Sequence, residues 1–311
     1  MVTYLGALAV GVALAAVGGE LFVRGTVGIA ARTRVPAGMI AATIAAFATS
    51  TPELSVGVQA AVAGRPELAL GDALGSNVFN IAVVLGIVLL FSPLRVTRAE
   101  IRRVWIVAMM APLLTLVALV DGRLVDAEGV VLLVIFVSWL IVTGRQALGE
   151  RSATSEVLSE RGGWRIAGSV IVGLGALVLA GHFVVVAAKG IGDEFGLNPF
   201  VVGATMVALG TSTPEIATAI ISTRRGHSEV GIGTVLGSNV FNNLWIVGIV
   251  ALIEPVRISV SEVLLAVVAC LVALVIIVPT RDGRIPKHRG VALLAVATLY
   301  VIGTIALGHR T

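Results

Sequence analysis

The stretches "FATSTPELS" at residues 47–55 and "LGTSTPEIA" at 209–217 each set a glutamate and a helix-breaking proline inside a long apolar run. A carboxylate at such a depth costs several kcal/mol, so Glu53 and Glu215 mark a functional site by default. A structural ion pair would need a basic residue at the same depth, and the neighbouring apolar runs hold none. His182 lies in a separate run and reads as a packed, neutral side chain. Around each glutamate the chemistry is oxygen. Ala46, Thr49, Ser50 and Glu53 stand at i, i+3, i+4 and i+7, one face of a helix, and Ala208, Thr211, Ser212 and Glu215 repeat that face. Pro52 and Pro214 lack an N–H and push away the carbonyl four residues back. Carbonyls freed at membrane depth are tolerated only where they line a cavity or meet an ion. Gly57, Ala60 and Gly64 continue the first face with small residues that let helices approach. Ser76 and Asn80, and Ser238 and Asn242, spaced i, i+4, add neutral oxygens beside Gly75 and Gly237, which are expected to loosen their helices. The set holds no thiol and no imidazole. Hard cations such as Na⁺ and Ca²⁺ take such ligands, whereas softer metals call for Cys or His. Two carboxylates match one Ca²⁺ in charge.

The elements that must hold these residues are membrane helices. The chain is 57% hydrophobic and 13% charged, with a mean hydropathy of +1.03; soluble domains carry about 25% charged residues. Ten runs could each span a bilayer, about 2–23, 39–63, 68–91, 104–120, 126–143, 164–188, 201–222, 230–253, 259–278 and 291–308. They lack the alternation of barrel strands. The first is too long for a signal peptide's apolar core and follows no basic residue, so it is read as helix one. Cys270, the one cysteine, lies in an apolar run, so no disulfide framework is expected. The net charge of +4 does not argue for nucleic acid, because the arginines lie in short loops, where membrane proteins carry positive charge for topological reasons. With the N-terminus outside, 17 of the 22 Lys and Arg fall in inner segments. Both termini are therefore expected outside the cell membrane.

The chain also repeats itself. At an offset of 162 residues, "MIAATIAAFATSTPE" (39–53) lies over "VVGATMVALGTSTPE" (201–215), and "GDALGSNVFN" (71–80) over "GTVLGSNVFN" (233–242). Five helices per half is an odd number, so the second half must enter the membrane with opposite polarity. The expected fold is an all-α membrane protein of ten transmembrane helices in two inverted five-helix repeats, with helices two, three, seven and eight broken at the midplane. Residues 1–143 and 164–311 form the repeats, and 144–163 is a hydrophilic cytosolic linker. Inverted repeats belong to secondary transporters, whose sites lie where the halves meet.

At these motifs the sequence resembles the alpha-repeats of the cation/calcium exchanger superfamily, and within it the prokaryotic sodium/calcium exchangers. The resemblance covers the ten-helix layout as well as "ATSTPE…GSNVFN" and "GTSTPE…GSNVFN". It implies that Glu53 and Glu215, with the carbonyls of Thr49 and Thr211, hold Ca²⁺. It implies that Ala46, Ser50, Ser76 and Asn80 from one half, and Ala208, Ser212, Ser238 and Asn242 from the other, form sodium sites. It further implies alternating access, with helices one and six sliding against a fixed core, in a functional monomer that needs the bilayer but no cofactor. There are departures. Some microbial relatives carry an aspartate where this chain has Asn242, and Ala48 replaces the glycine seen at Gly210. Asp72 has Thr234 as its counterpart and is read as a solvated acid at a helix start.

Two protons would neutralise two glutamates as well as one Ca²⁺ does, so an H⁺/Ca²⁺ antiporter is the alternative. The proton-coupled branch resembles "GNAxE" rather than "TSxPE" here, and the hydroxyls favour sodium. A hydrolase using the two glutamates would leave the hydroxyl and amide residues unexplained and lacks H-E-x-x-H. A passive channel fits the inverted repeats less well.

Overall fold

The structure is a computed structural model and describes residues 2–33, 35–149, 163–192 and 199–308. Its helices are α1 (Val2–Thr33), α2 (Ala37–Thr49), α3 (Thr51–Val62), α4 (Pro66–Phe91), α5 (Arg98–Ala118), α6 (Asp126–Gly149), α7 (Gly163–Gly192), α8 (199–211), α9 (Thr213–Arg224), α10 (Ser228–Ile253), α11 (Val260–Ile276) and α12 (His288–Gly308). Among the described residues, eight helical runs are long and apolar enough to cross a membrane, with α8 and α9 counting as one; the pair α2 and α3, bent by 41°, makes a ninth. The run expected at 259–278 is α11, an apolar helix of 17 residues. The expected linker lies largely outside the described residues, and α6 extends through its first six positions. The outer surface is apolar where a soluble protein would be charged. Val130, Val131, Val134, Val137 and Ile141 all face outward on α6, a continuous apolar stripe suited to lipid.

The helices nearest the glutamates cross between the two halves of the chain. On α4, a Cβ at Gly75 would overlap the carbonyl oxygen of Ala204 on α8, and on α10 a Cβ at Gly237 would overlap that of Ala42 on α2. These glycines therefore serve close backbone approach. They do not loosen their helices, which run unbroken by any turn from Pro66 to Phe91 and from Ser228 to Ile253. What departs from α geometry instead is four π-helical stretches, Ala41–Ala45, Phe79–Leu85, Gly203–Val207 and Phe241–Ile246. They stand at matching positions of the repeat, 162 residues apart. The expectation of breaks in helices three and eight is thus corrected: the irregularity there is a widened turn, a form common at functional sites. Gly64 is also not a packing glycine. It turns the chain after α3 with φ +69° and has nothing near where a Cβ would stand.

Two short antiparallel ribbons join the halves. β1 (Leu94–Arg95) pairs with β4 (Arg284–Ile285), and β2 (Arg123–Leu124) with β3 (Val256–Arg257). Each ribbon takes one strand from each half, so each joins loops that must share one side of the helical layer. Along one flank α1 packs on α7, with Gly18 and Gly173 each set against the other's backbone.

Candidate oxygen-lined cation site

Each glutamate sits in the first turn of a helix, not within one. The chain leaves helical geometry at Ser50 (φ −82°, ψ 10°) and at Ser212 (φ −74°, ψ 4°), and α3 and α9 start just after, with Pro52 and Pro214 in their first turns. Proline is tolerated there because those N–H groups have no intrahelical partner. The positive end of each helix dipole consequently faces its carboxylate. Ser50–Glu53 and Ser212–Glu215 have the S-x-x-E spacing of a capping box, yet neither Ser50 nor Ser212 makes a side-chain cap. The same chain closes that device elsewhere: at the start of α5, Thr97 accepts from the Glu100 N–H at 3.3 Å and Glu100 accepts from the Thr97 N–H at 2.6 Å.

The hydroxyls and carboxylates of the site are buried: Thr49, Glu53, Ser76, Asn80, Thr211, Ser212, Glu215, Ser238 and Asn242 are fully so, and Ser50 is 2% exposed. Ala46 and Ala208 are fully buried too, and their carbonyls accept from the N–H of Ser50 (2.9 Å) and Ser212 (3.1 Å) and from Thr49 and Thr211 hydroxyls (both 3.3 Å). The carbonyl of Ala48, which Pro52 would leave unpaired, accepts from the Thr51 hydroxyl at 2.8 Å. Two side-chain chains cross the halves. Ser238 donates to Glu215 Oε1 at 2.9 Å, and its hydroxyl lies 3.5 Å from that of Thr49. Thr211 donates to Asp72 Oδ1 at 3.0 Å and lies 3.2 Å from the Ser76 hydroxyl. Among the described residues, both oxygens of Glu53, Oε2 of Glu215, the hydroxyls of Ser50 and Ser212, and the amides of Asn80 and Asn242 have no hydrogen-bond partner. Buried polar atoms are rarely left so. Both asparagines are second in their π stretches.

No cluster of three His, Cys, Asp or Glu with metal-site geometry occurs among the described residues. A cation here would depend on hydroxyl, amide and carbonyl oxygens beside the two glutamates, a donor set that fits hard ions. Asp72 corrects an expectation. It is 1% exposed and accepts from Thr211, so it is not a solvated helix-start acid; α4 begins six residues earlier, at Pro66, and has turned Asp72 inward. Its place four residues before Ser76, on the same helix face, was the signal in the sequence. Its counterpart Thr234 bonds back to the Val230 carbonyl of its own helix at 2.9 Å.

The chain matches the family described as sodium/calcium exchanger protein over residues 3–144 and 166–306. It is 34% identical over 230 residues to the inner membrane protein YrbG of Escherichia coli, covering 71% of each chain. It is 23% identical over 327 residues to the sodium/calcium exchanger MaX1 of Methanosarcina acetivorans, covering 92% of this chain and 93% of that one. A solved structure of the sodium-calcium exchanger NCX_Mj, soaked with Na⁺ and Sr²⁺, superposes with a TM-score of 0.81 at 25% identity, over 97% of this chain and 98% of the other. The family match spans nearly the whole chain and both S-T-P-E turns, and the chain belongs to the sodium/calcium exchanger protein family.

Proposed function

We propose that the protein exchanges Na⁺ for Ca²⁺ across the cell membrane by alternating access, with Ca²⁺ held between Glu53 and Glu215. The observation that carries this reading is the pair of open capping boxes. Two S-T-P-E turns, one from each half, hold the buried Ser50 and Ser212 hydroxyls, both Glu53 oxygens and Glu215 Oε2 without hydrogen-bond partners among the described residues, in a chain that closes the same device at α5. Hydroxyls and carbonyls of Thr49 and Thr211, with Ala46, Ala208, Ser76, Ser238, Asn80 and Asn242, would complete the Ca²⁺ and Na⁺ coordination. No bond is made or broken, so the protein acts as a transporter and not as an enzyme.

The proposal includes ten helices in two inverted repeats, 1–143 and 164–311, with both termini outside. It is supported by the matched π stretches and by the ribbons, since each ribbon pairs two loops that the charge count assigns to one face. The first and sixth spans, α1 and α7, would slide against the core in a monomer. The test is Ca²⁺ uptake into sealed proteoliposomes, first under an outward Na⁺ gradient and then under a pH gradient alone. Uptake driven by Na⁺ is expected. Uptake that follows only the pH gradient would replace this reading with H⁺/Ca²⁺ antiport on the same glutamates.

A further inference from the structure

The two halves of the chain build the same crossing and fill it differently. On α4 a Cβ at Gly71 would overlap the Phe200 carbonyl oxygen at the start of α8, and on α10 a Cβ at Gly233 would overlap that of Gly38 at the start of α2. The two glycines are 162 residues apart, so the backbones correspond. The next side chain does not: it is Asp72 in the first half and Thr234 in the second. Thr234 gives its hydroxyl proton to its own helix, at the Val230 carbonyl (2.9 Å). Asp72, 1% exposed, reaches across to α8 and accepts from Thr211 at 3.0 Å.

The direction of the neighbouring hydroxyl protons follows from that difference. A carboxylate only accepts, and each hydroxyl has one proton to give. Thr211 stands beside Glu53 as well as Asp72. Of the acceptors it bonds, the Ala208 carbonyl at 3.3 Å and Asp72 Oδ1 at 3.0 Å, the carboxylate is the nearer and the stronger. With the Thr211 proton on Asp72, Ser76 must be the donor across the 3.2 Å contact between the two hydroxyls. Both protons then point away from Glu53, whose two oxygens have no hydrogen-bond partner among the described residues. The second half lacks the acid and shows the opposite outcome. Thr49 donates to the Ala46 carbonyl at 3.3 Å, and Ser238, the counterpart of Ser76, gives its proton to Glu215 Oε1 at 2.9 Å.

We propose that Asp72 is a positioning residue for the cation site: it draws the Thr211 and Ser76 hydroxyl protons off Glu53 and so keeps both Glu53 oxygens open to a cation. This rests on the reading that Ca²⁺ lies between Glu53 and Glu215. Asp72 acts through Thr211 and not as a ligand, since the acids here do not gather into a metal cluster among the described residues. The two glutamates therefore bind unequally. Glu53 offers two oxygens, whereas Glu215 offers Oε2 while Ser238 holds Oε1.

Calorimetric titration of the purified full chain with Ca²⁺, in detergent without Na⁺, tests this. Asp72→Thr installs the residue that the other half uses; its hydroxyl should bond back to the Leu68 carbonyl and leave Ser76 or Thr211 to donate to Glu53. A hydrogen bond to a charged group must then be broken before the cation binds, so Ca²⁺ affinity should fall about tenfold. Thr211→Val removes the hydroxyl but keeps the backbone carbonyl, and should cost about the same. The double variant should lose no more than either change alone, because both act through one contact. Asp72→Asn keeps an oxygen acceptor and should recover most of the lost affinity. Wild-type affinity in Asp72→Thr or in Thr211→Val, additive losses in the double variant, or equal losses by the Thr and Asn replacements would each overturn the proposal. Glu53→Gln, titrated alongside, tests the site itself. Wild-type Ca²⁺ binding there would mean that the glutamate site has failed, whereas a loss there with none in Asp72→Thr would remove only the role of Asp72.

Discussion

Replacing Gly237 by alanine puts one methyl group into the tightest crossing beside the site. The new Cβ would overlap the Ala42 carbonyl oxygen and stand 2.7 Å from both the Ala42 carbonyl carbon and the Ala46 Cβ. Carbon atoms rest at about 3.5–4.0 Å, so α10 and α2 must separate by roughly 1 Å. Overpacking of this kind costs about 1–3 kcal/mol, against a gain of about 1 kcal/mol from replacing glycine inside a helix. The net loss of stability is therefore modest, about 0–2 kcal/mol. Transport should suffer more. Ala46 lies on the displaced face, one turn from Ser50 and two from Glu53, and a ligand set moved by roughly 1 Å loses about 100-fold in rate where geometry governs. Na⁺-dependent ⁴⁵Ca²⁺ uptake in proteoliposomes, paired with thermal unfolding in detergent, separates the two effects. Gly175→Ala is the control, since nothing stands within 4 Å of the added methyl. Uptake by Gly237→Ala within twofold of the control would refute the view that this crossing sets the site's geometry.

Glu53→Gln or Glu215→Gln should each abolish Ca²⁺ uptake while leaving the fold intact, because one carboxylate under-neutralises a divalent ion in low dielectric; wild-type uptake would remove the glutamates from the mechanism. The double change Ser50→Ala with Ser212→Ala removes two hydroxyls that bond nothing among the described residues, so the melting point should hold. The Na⁺ dependence of uptake should weaken more than the Ca²⁺ dependence, and equal losses would argue against separate sites. Asn239→Leu breaks the 3.0 Å bond from its amide to the Asn77 carbonyl on the other half, and should cost about 1–3 kcal/mol for the orphaned acceptor. A denaturation midpoint unchanged from wild type would contradict that.

The helices were legible because long apolar runs allow little else in a membrane, and the run at 68–91 and the helix Pro66–Phe91 nearly coincide. The repeated oxygen residues were legible from period alone, and the structure buries every one of them. The conformations between them were not. S-T-P-E announces a cap, but only burial decides whether the cap closes, and burial depends on helices far away in sequence. Gly75 and Gly237 looked like weak points because glycine destabilises an isolated helix; their role appears only when the carbonyls of Ala204 and Ala42 are brought against them. The π stretches carry no local signature at all. Asp72 reads as a surface acid when the apolar run sets the helix start at residue 68, whereas the helix begins two residues earlier, at Pro66.

The crossed ribbons also impose an order on synthesis. Leu94 and Arg95 leave the ribosome about 190 residues before Ile285, their partner's last residue, which at roughly 5–20 residues per second is a wait of about 10 to 40 s. For more than half of that interval α4 lacks the α8 backbone that its glycines fit, and Thr49 lacks the Ser238 that lies beside its hydroxyl. The first half is thus an inserted but unfinished object, held in the bilayer with its polar face unmatched until the second half arrives. Two halves made as separate chains would have to supply these crossings to each other, as the partners of a heterodimer do.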